Sequence, residues 1–594
     1  MSDGQRNFLD VRQSAKGMAW RQRLLPQQEN AALAIAQSHD IPDLIARVMA
    51  ARGVEQDQAD RFLEPTIRDL LPDPSTLTDM DVAAGRIAKA IADNERVAIF
   101  GDYDVDGAAS SALLKRFFAH FGIDAEIYIP DRIFEGYGPN PDAMRDLASR
   151  ASLIITVDCG TTSAEAITAG LEAGSDVVVL DHHQVGEGYP HGIPVVNPNR
   201  DDDMSGQGHL CAAGVVFLTL VRVSALQRQS GQSPPDLLGL LDLVALATVC
   251  DVVPLQGVNR AFVTRGLLVA RAQSNPGMAA LARAARIGEP LAPFHLGFAI
   301  GPRINAGGRI GDAALGSRLL ATDDPVEAQE IAATLDRLNA ERQAMEQSML
   351  AEAMAQAEAE LARGDGPAVL IAESETWHPG VVGILASRLK DNIRRPAFAI
   401  AFNKNGMGTG SGRSISGIDL GKLVRGALEA GLSLKGGGHA MAAGITVERS
   451  RLGEFRSWLE EQAGEAVAEA RRDETLKIDG ALSADGATLE LIELLEKAGP
   501  YGAGHPQPVF AMPHHLVADV RMVGTNHLRI SLKSRTGGRL QAMAFRAADT
   551  DLGRMLGENR GSPLHIAGTL GANTWNGRTT PQLRIIDAAV PERV

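Results

Sequence analysis

Several features that define other classes of protein are missing from this sequence. It has no run of about 18 apolar residues, the length that a membrane-spanning helix needs. Its start, MSDGQRNFLDVRQ, lacks the basic and then apolar pattern of a secretory signal. The 3 cysteines, Cys159, Cys211 and Cys250, show no CxxC spacing, which argues against a disulfide framework or a structural zinc site. These absences predict a cytoplasmic protein.

Aromatic residues and net positive charge are also scarce. Aromatics make up 4% of the chain and the formal net charge is −15, so the surface is not broadly basic. This charge does not exclude nucleic acid, because phosphate contacts need only a local basic groove. Carboxylates gathered around divalent cations would also add negative formal charge. The charge balance therefore leaves the function open.

The chain contains enough apolar material for several cores. It has 594 residues, of which 45% are hydrophobic and 22% charged, and this predicts two to four globular domains. We expect an α/β multidomain protein with five consecutive parts. They are an N-terminal extension (1–80), a catalytic parallel-sheet domain (81–324), a long connecting helix (325–365), a second α/β domain (366–455) and a β-barrel resembling an oligonucleotide-binding (OB) fold (465–594).

The catalytic domain is predicted from short apolar runs that alternate with helical segments. The runs are Val97–Phe100, Leu153–Val157 and Val177–Leu180. This alternation is typical of a parallel sheet covered on both faces. The runs end in GDYDVDG, DCG and DHH respectively, the first of which we interpret as a loop. Ligands of such sheets bind beyond the carboxyl ends of the strands, so these polar segments should share one edge.

The second half of the chain shows three different patterns. Residues 326–362 contain no glycine or proline and have helical spacing of apolar residues, which predicts a long helix between two domains. The segments PAVLIA, HPGVVGILASRL and PAFAIAF predict a second α/β unit with several Gly-rich loops. Alternating runs such as LRISLK and LQAMAF, separated by turn residues, predict the C-terminal barrel.

GDYDVDG places three carboxylates at alternate positions directly after a buried strand. Asp102, Asp104 and Asp106 would repel one another there unless a cation lay between them. Mg²⁺ and Mn²⁺ prefer such oxygen ligands. The same residues also suit a solvated turn or a helix N-cap, so this segment alone does not decide between the two interpretations.

Further acids and imidazoles follow the other strands. Asp158 ends one run, Asp181, His182 and His183 end the next, and Asp251 follows an apolar helical segment. Each could be a helix cap or a loop residue, but together they gather at one predicted edge. Mixed carboxylate and histidine ligation suits Mn²⁺, and two ions about 3.5–4 Å apart can activate water for displacement at phosphorus. The set predicts hydrolysis of a phosphoester or phosphoanhydride.

The motifs GDYDVDG, VDCG, DHH and DVVP, in this order, resemble those of the DHH phosphoesterase superfamily. Within it, five further segments resemble the RecJ family of bacterial exonucleases specific for single strands. They are IPDRIFEGYG (129–138), GPRINAGGRIGD (301–312), WHPGVVGILASRL (377–389), GSGRSI (410–415) and GGGHAMAAG (436–444). LEKAGPYGAGHPQPVF (495–510) is similar to the start of the family's OB region. The resemblance spans about residues 30–590 and makes the two α/β domains a DHH and a DHHA1 domain.

The resemblance implies a set of metal ligands and a catalytic histidine. The implied ligands of two Mn²⁺ or Mg²⁺ ions are Asp102, Asp104, Asp106, Asp158, His182 and Asp251. Asp158 would bridge the ions and His183 would face the scissile phosphate, donating a proton or stabilising charge. We expect Asp181 to orient a histidine. The implied activity is 5′→3′ degradation of single-stranded DNA to 5′-mononucleotides in DNA repair and recombination.

Residues in the other motif segments are expected to hold the DNA strand, in what we interpret as glycine-rich, phosphate-binding loops. They are Arg132, Arg303, Asn305, Arg309, Arg413, Ser414 and His439. A surface ion pair is the common alternative for each arginine. Tyr137 and Trp377 are candidates for base stacking, and core packing is the alternative for Trp377.

Two other functions suit the same site: a DHH-type phosphodiesterase acting on short oligonucleotides or cyclic dinucleotides, and a catalytically inactive scaffold that binds single-stranded DNA. The length of the chain argues against the first, and the complete ligand set argues against the second.

The family implies single-strand-binding protein and a RecQ-type helicase as partners, and we expect a monomer without membrane contact. This chain has Cys250 at a position where the family usually has Ala or Gly. It also has His505 where the family usually has Asn, and we interpret His505 as loop variation.

Overall fold

A computed structural model describes residues 7–592 apart from 132–134, 137, 186–187, 363–365 and 473. The chain forms two compact units. The first comprises the described parts of 1–72, 252–265 and 474–594, and the second those of 73–251 and 266–473. Among the described residues, no helix is both long and apolar enough to cross a membrane.

The N-terminal region is one short strand followed by helices. These elements are β1 (Ala19–Gln22), α1 (Glu29–His39), α2 (Asp43–Ala50), α3 (Ala59–Leu63) and α4 (Ile67–Leu70). The helices α1, α2 and α3 contribute buried side chains, and Ile35, Ile45 and Met49 are fully enclosed. Burial of such a stripe is what stabilises helices this short, because isolated short helices are marginal in water.

The next region is the predicted parallel sheet. It contains α5 (Met80–Ala92), β2 (Val97–Gly101), α6 (Val105–His120), β3 (Glu126–Tyr128), α7 (Pro141–Ala148), β4 (Leu153–Val157), α8 (Ala164–Glu172), β5 (Asp176–Leu180) and β6 (Val195–Val196). The 5 strands are all parallel, in the order β3-β2-β4-β5-β6. The three sequence-predicted strands are confirmed. The interpretation of GDYDVDG as a loop is wrong in part, because α6 begins at Val105 and includes Asp106.

A helical region follows the sheet. It contains α9 (Ala212–Gln229), α10 (Leu241–Cys250), α11 (Val258–Arg271), α12 (Pro276–Ala284), α13 (Pro293–His295), α14 (Gly301–Ile310) and α15 (Leu315–Ala321). The prediction of a loop over residues 303–309 is wrong, since these residues form α14. Its glycines permit close packing: a Cβ on Gly308 would lie 2.6 Å from the Tyr103 ring. This packing compensates for the poor helix propensity of glycine.

The long helix α16 (Pro325–Leu361) is confirmed and leads into a second sheet. The elements that follow are β7 (Leu370–Ser374), α17 (Val382–Ile393), β8 (Ala397–Phe402), β9 (Met407–Arg413), α18 (Leu420–Glu429), β10 (Lys435–His439), β11 (Ala442–Glu448) and α19 (Leu452–Arg472). The strand order is β10-β11-β9-β8-β7, and only β7 and β8 run parallel. The prediction that GSGRSI and GGGH form loops is wrong, because they lie mainly in β9 and β10. Gly408 and Gly412 of β9 make room for the rings of Phe402 and Phe398.

The C-terminal region forms the predicted barrel. Its elements are β12 (Thr475–Ile478), β13 (Gly480–Ala481), α20 (Leu489–Lys497), β14 (Phe510–Val523), β15 (His527–Lys533), β16 (Arg539–Ala544), α21 (Asp551–Glu558), β17 (Pro563–Trp575) and β18 (Arg578–Ala589). The ring β14-β15-β16-β18-β17 is closed by pairing of β17 with β14. β1 pairs in parallel with β12, and the N-terminal helices share one core with the barrel. The N-terminal region and the barrel are therefore parts of one unit.

His505 precedes the barrel and is not simply a variable loop residue. Its side chain is buried, its ring stacks on Tyr501 with centroids 5.0 Å apart, and its Nε2 lies 2.9 Å from the Ala498 carbonyl oxygen. Burial, together with the nearby Arg260 and Arg52, lowers the pKa of His505 to about 3. It is a neutral packing residue.

Candidate active site

The first acidic motif joins the end of β2 to the start of α6. Asp104 caps this helix: its Oδ1 accepts hydrogen bonds from the backbone N–H groups of Asp106 and Gly107, at 2.9 and 3.2 Å. The helix-cap interpretation of the motif is therefore correct for Asp104. It does not exclude ligation, because Asp102, Asp104 and Asp158 offer ligand atoms that all lie within 4.8 Å of one another.

Asp106 is held by a second helix terminus. Its carboxylate oxygens accept hydrogen bonds from the backbone N–H groups of Ala212 and Ala213, at 2.7 and 2.8 Å, in the first turn of α9. The N-terminal end of a helix carries positive partial charge and favours an anion at this position. Asp106 belongs to the first turn of α6 and is bound by the first turn of α9, so two helices fix one carboxylate.

Asp158 and His182 follow the neighbouring strands β4 and β5 and meet at the sheet edge. The Nε2 atom of His182 lies 3.3 Å from Asp158 Oδ1, 3.6 Å from Asp106 Oδ2 and 3.6 Å from Asp251 Oδ2. Its Nδ1 is 3.1 Å from the Leu210 carbonyl oxygen. A carbonyl can only accept, so Nδ1 carries a proton and Nε2 is the nitrogen that faces the carboxylates. This is the tautomer that a metal-binding histidine requires.

His183 is oriented by Asp181. Asp181 Oδ1 accepts from His183 Nδ1 at 2.8 Å and from both histidine backbone N–H groups, while Oδ2 accepts from the Thr161 N–H. Burial favours the neutral imidazole, but the hydrogen bond and charge of Asp181 outweigh it and raise the pKa of His183 to about 9. The same hydrogen bond holds the pKa of Asp181 below its usual range despite burial. The metal-ligand groups found among the described residues include His183 but not Asp181.

Asp251 completes the cluster from the end of α10. Burial, followed by the charges of Asp106 and Asp104, raises the pKa of the Asp251 carboxyl to about 9. Burial likewise raises the pKa of Asp106, and burial with the Asp106 and Asp104 charges raises that of Asp158 well above its usual range. The shared cause is the crowding of like charges away from water.

The donor set fits hard divalent cations. Three overlapping groups of ligand atoms are Asp158, His182 and His183; Asp106, His182 and Asp251; and Asp102, Asp104 and Asp158. Asp158 and His182 each belong to two groups, and carboxylate oxygens with imidazole nitrogen are typical ligands of Mn²⁺. A cation would also relieve the repulsion that raises the carboxyl pKa values.

The helix α14 brings part of the predicted substrate set beside the first acidic motif, against Tyr103. Arg309 donates to the Gly380 carbonyl oxygen at 3.1 Å. Asn305 has a buried Oδ1 that accepts no hydrogen bond from the residues described. Arg303 pairs with Asp336 at 2.9 Å and donates to the Ala299 carbonyl, which is the arrangement that the ion-pair alternative predicts.

The second sheet brings together Arg413 and His439. Both pair with Ala442 in the strand register, which places them in one row across β9, β11 and β10. Arg413 lines a cavity of about 280 Å³ together with residues of α17, among them Gly383 and Arg388.

Two other candidates of the second sheet are turned inward. Ser414 is buried and its hydroxyl donates to the Ile418 carbonyl at 2.7 Å, which argues against the predicted phosphate contact. Trp377 packs in a core and donates to Glu352 at 2.7 Å, so the core alternative is correct. The remaining candidates, Arg132 and Tyr137, lie outside the described residues.

Two asparagines and a helix terminus were missed by the sequence interpretation. Asn199 donates to the His182 carbonyl at 2.6 Å, and Asn197 donates to the His183 carbonyl at 2.9 Å. They follow β6 in the segment VVNPNR, so the rule applied to the other strands, that polar residues after a buried strand face the site, would have found them. The start of α9 carried no such signal, because Ala212 and Ala213 act through their backbone N–H groups.

Known proteins are similar to this chain in sequence and in fold. The chain matches three family models: DHH family, N-terminal domain, over residues 96–248, DHHA1 domain over 366–465 and RecJ OB domain over 478–587. The single-stranded-DNA-specific exonuclease RecJ of Dickeya dadantii is 38% identical over 563 residues, covering 92% of this chain and 96% of that protein. The crystal structure of RecJ from Thermus thermophilus in complex with Mn²⁺ matches with a TM-score of 0.78 at 30% identity, covering 96% of this chain and 79% of that chain. The corresponding structure with Mg²⁺ matches with a TM-score of 0.72 at 30% identity, covering 96% of this chain and 78% of that chain. With this identity over nearly its whole length, the chain belongs to the RecJ family.

Proposed function

We propose that this protein is a metal-dependent exonuclease that degrades single-stranded DNA in the 5′→3′ direction to 5′-mononucleotides, and that it acts in DNA repair and recombination. The observation that carries the proposal is the set of overlapping ligand groups at the carboxyl edge of the first sheet. The names of its relatives and the Mn²⁺ and Mg²⁺ complexes of similar structures support it.

Six side chains are proposed to hold two Mn²⁺ or Mg²⁺ ions: Asp102, Asp104, Asp106, Asp158, His182 and Asp251. The membership of Asp158 in two of the three groups supports a bridging role for this residue. When bound, the ions would lower the pKa of water and offset charge developing on the phosphoryl group. The chain itself supplies the orientation of the ligands, through α6, α9 and the Leu210 carbonyl.

His183 is proposed as the residue that faces the scissile phosphate. Asp181 accepts a hydrogen bond from its Nδ1, and Nε2 is proposed as the atom that acts on the substrate. A pKa of about 9 keeps the ring protonated at neutral pH, so Nε2–H can donate to a phosphate oxygen or protonate the leaving group. Asp181 thereby acts through His183 and not on the substrate.

Residues of α14 and of the second sheet are proposed to hold the strand. Asn305 and Arg309 approach from α14, and Arg413 and His439 lie in one row of the second sheet. Arg132 and Tyr137 remain candidates from the sequence alone. Glycines beside Arg413 and His439 allow the backbone to approach phosphate closely.

The barrel offers a second binding surface on its outer face. Cα pairing places Arg521, Arg529, Met543 and Arg584 in one row across β14, β15, β16 and β18. The three arginines are exposed, and the Arg584 guanidinium lies 5.5 Å from the exposed Phe545 ring. OB folds bind oligonucleotides on this face, and arginines with aromatics suit a flexible single strand.

A double substitution tests this surface. Arg529→Ala with Arg584→Ala should weaken binding of an oligonucleotide and reduce the slope of log K against log salt by about 0.7 for each lost phosphate contact. Arg337→Ala on α16, where Arg337 is paired with Glu341, removes a similar charge and should leave the slope unchanged. Binding is measured by fluorescence anisotropy at several salt concentrations. Equal slopes for the double variant and the wild type would remove the barrel face from the proposal.

The proposed activity is tested with 5′-labelled DNA in Mn²⁺, comparing a long single strand, a duplex and a dinucleotide. We expect release of labelled mononucleotide from the single strand and little from the duplex. Cleavage of the dinucleotide or of a cyclic dinucleotide without cleavage of the long strand would favour the small-substrate phosphodiesterase. Binding of the strand without turnover would favour the inactive scaffold.

Other parts of the proposal concern the whole protein. We propose a cytoplasmic monomer with single-strand-binding protein and a RecQ-type helicase as partners, as family membership suggests. We also propose the five domain boundaries given by the sequence, with the long helix α16 joining the DHH and DHHA1 domains. Sedimentation measurements test the monomeric state, and pull-down of purified candidates tests the partners. Limited proteolysis tests the domain boundaries.

A further inference from the structure

Two phenylalanine rings are exposed side by side on the second unit. Phe294 is 59% and Phe298 is 74% exposed, and their rings stack with centroids 5.0 Å apart and planes 23° apart. Large apolar side chains usually fill cores, and most of the phenylalanines described here do so. Two rings stacked on each other in water present a flat apolar surface that nothing in the described chain covers.

The pair stands on a segment that is tightly fixed to the candidate active site. Phe294 lies in α13, and Phe298 lies in a turn of π-helix, Leu296–Ile300, a feature that is frequent at functional sites. The Leu296 carbonyl accepts a hydrogen bond from Cys250 Sγ at 3.3 Å. Cys250 directly precedes the candidate ligand Asp251.

Close packing also fixes this segment. A Cβ added to Gly301 would lie 2.5 Å from Cys250 Sγ, and one added to Gly297 would lie 3.4 Å from the Val249 side chain. The turn that carries the pair is therefore pressed against the last turn of α10. Its distance from the end of that helix cannot vary much without breaking these contacts.

The same segment continues into the proposed phosphate-binding helix. After Ile300 the chain enters α14, which carries Asn305 and Arg309 and packs against Tyr103 of the acidic motif. One continuous stretch of chain thus carries two aromatic rings, an amide and a guanidinium, in the order Phe294, Phe298, Asn305 and Arg309. Bases of a single strand have exposed π faces, whereas those of a duplex are already stacked and paired, so this order of groups suits a single strand.

We propose that Phe294 and Phe298 form a stacking platform for bases of the single-stranded substrate and are positioning residues for its cleavage. The inference rests on the proposed function and adds to it the site where a base near the metal cluster is held. Stacking does not read base identity, so the platform acts on any sequence. It would favour single strands over duplex because the platform needs an unpaired base.

The test is a scan of abasic positions with matched variants. The variants are Phe294→Ala with Phe298→Ala, the conservative Phe298→Trp, and Leu268→Ala as a control at a half-exposed apolar residue of α11. The substrate is a 5′-labelled 20-nucleotide strand in Mn²⁺ with one abasic residue moved along it. Calorimetry confirms that each variant unfolds like the wild type.

For the wild type, we expect KM to rise at one or two abasic positions. For the double variant, KM on the intact strand should rise about 5- to 100-fold, which corresponds to the loss of one stacked base, while kcat changes little. The abasic scan should become flat at those positions, and Phe298→Trp should keep the wild-type pattern. Leu268→Ala should behave as the wild type.

Two results would overturn the platform. One is an unchanged KM and abasic pattern in the double variant. The other is concentration-dependent dimerisation of the wild type that the double variant loses, because the pair would then bind a second copy. Failure of the proposed function gives a different result, since the wild type would then not degrade the intact strand at all.

Discussion

At the scale of single residues, Asp158 combines an unusual backbone conformation with a buried charge. Its φ of 58° lies in the left-handed region, which Asn tolerates and Ala does not. Asp158→Asn therefore removes the charge while keeping the shape of the turn. Burial and the Asp106 and Asp104 charges raise the pKa of Asp158, so without metal its ionised form destabilises the fold at neutral pH.

We expect Asp158→Asn to lower turnover by about 10³-fold or more, because loss of the proposed bridging ligand would remove several kcal/mol of charge stabilisation. In EDTA at neutral pH the variant should unfold at the same or a higher temperature than the wild type, and the difference should shrink as the pH falls and the wild-type carboxyl takes up a proton. In Mn²⁺ the wild type should gain more stability. Calorimetry and initial rates check this, and full activity of the variant would contradict the two-ion site.

Asp181 controls the titration of His183, two residues further along the chain. The active form of His183 is proposed to be the protonated ring, so activity should fall as the pH rises through its pKa, about 9 in the folded protein. Asp181→Asn removes the charge that raises this pKa and should move the basic limb of the kcat profile to lower pH. Asp176→Asn, at the exposed start of β5, is the control and should leave the profile in place. An unshifted limb in Asp181→Asn would show that another group sets it.

At the scale of elements, the approach of α6 to the strand end is what places Asp104 and Asp106. A Cβ added to Gly107 would lie 2.4 Å from the Asp102 carbonyl oxygen, so the helix start can be this close only with glycine there. Gly107→Ala should push α6 away, reduce activity and cost about 1–3 kcal/mol of unfolding free energy. The measurements are urea denaturation and initial rates.

Gly85 of α5 provides the matched control, since an added Cβ would meet nothing within 4 Å. Gly85→Ala should leave activity unchanged and stabilise the protein by up to about 1 kcal/mol through helix propensity. Equal effects of Gly107→Ala and Gly85→Ala on activity and unfolding free energy would show that the close packing of α6 against the strand end is not required.

At the scale of the whole molecule, the first unit is assembled from distant parts of the chain. β1 pairs with β12, and the buried Trp20 donates through Nε1 to Asp587 Oδ2 at 3.1 Å. Trp20→Ala should therefore destabilise the barrel by about 3–5 kcal/mol, although it lies in the N-terminal region. Hydrogen exchange of β17 and β18 should speed up, while that of the first parallel sheet should not.

Trp575→Ala serves as the control for stability, because this tryptophan is 75% exposed at the end of β17. It should change the unfolding free energy by no more than about 0.5 kcal/mol. Faster exchange throughout the chain in Trp20→Ala would show instead that the units unfold together.

The parallel sheet, the long helix, the barrel and the acidic edge could all be predicted from the sequence. Val97–Gly101 and Leu153–Val157 are buried throughout, and apolar apart from Thr156, because both faces of these strands are covered, and this pattern is local. The carboxyl ends of parallel strands must share an edge, so the acids that follow them were brought together by topology alone. Tertiary structure only supplied the distances between them.

Features that depend on distant partners could be seen only in the folded molecule. Gly-rich segments that looked like loops became β9, β10 and α14 because rings such as Phe398 and Tyr103 fill the space that glycine leaves. Asp106 is fixed by backbone groups of α9, about a hundred residues away, and β1 finds its partner at β12. The periodicity of apolar residues along a sequence indicates which face of a helix or strand is buried. It does not indicate which other element covers that face. The identity of that partner is a property of the packed molecule.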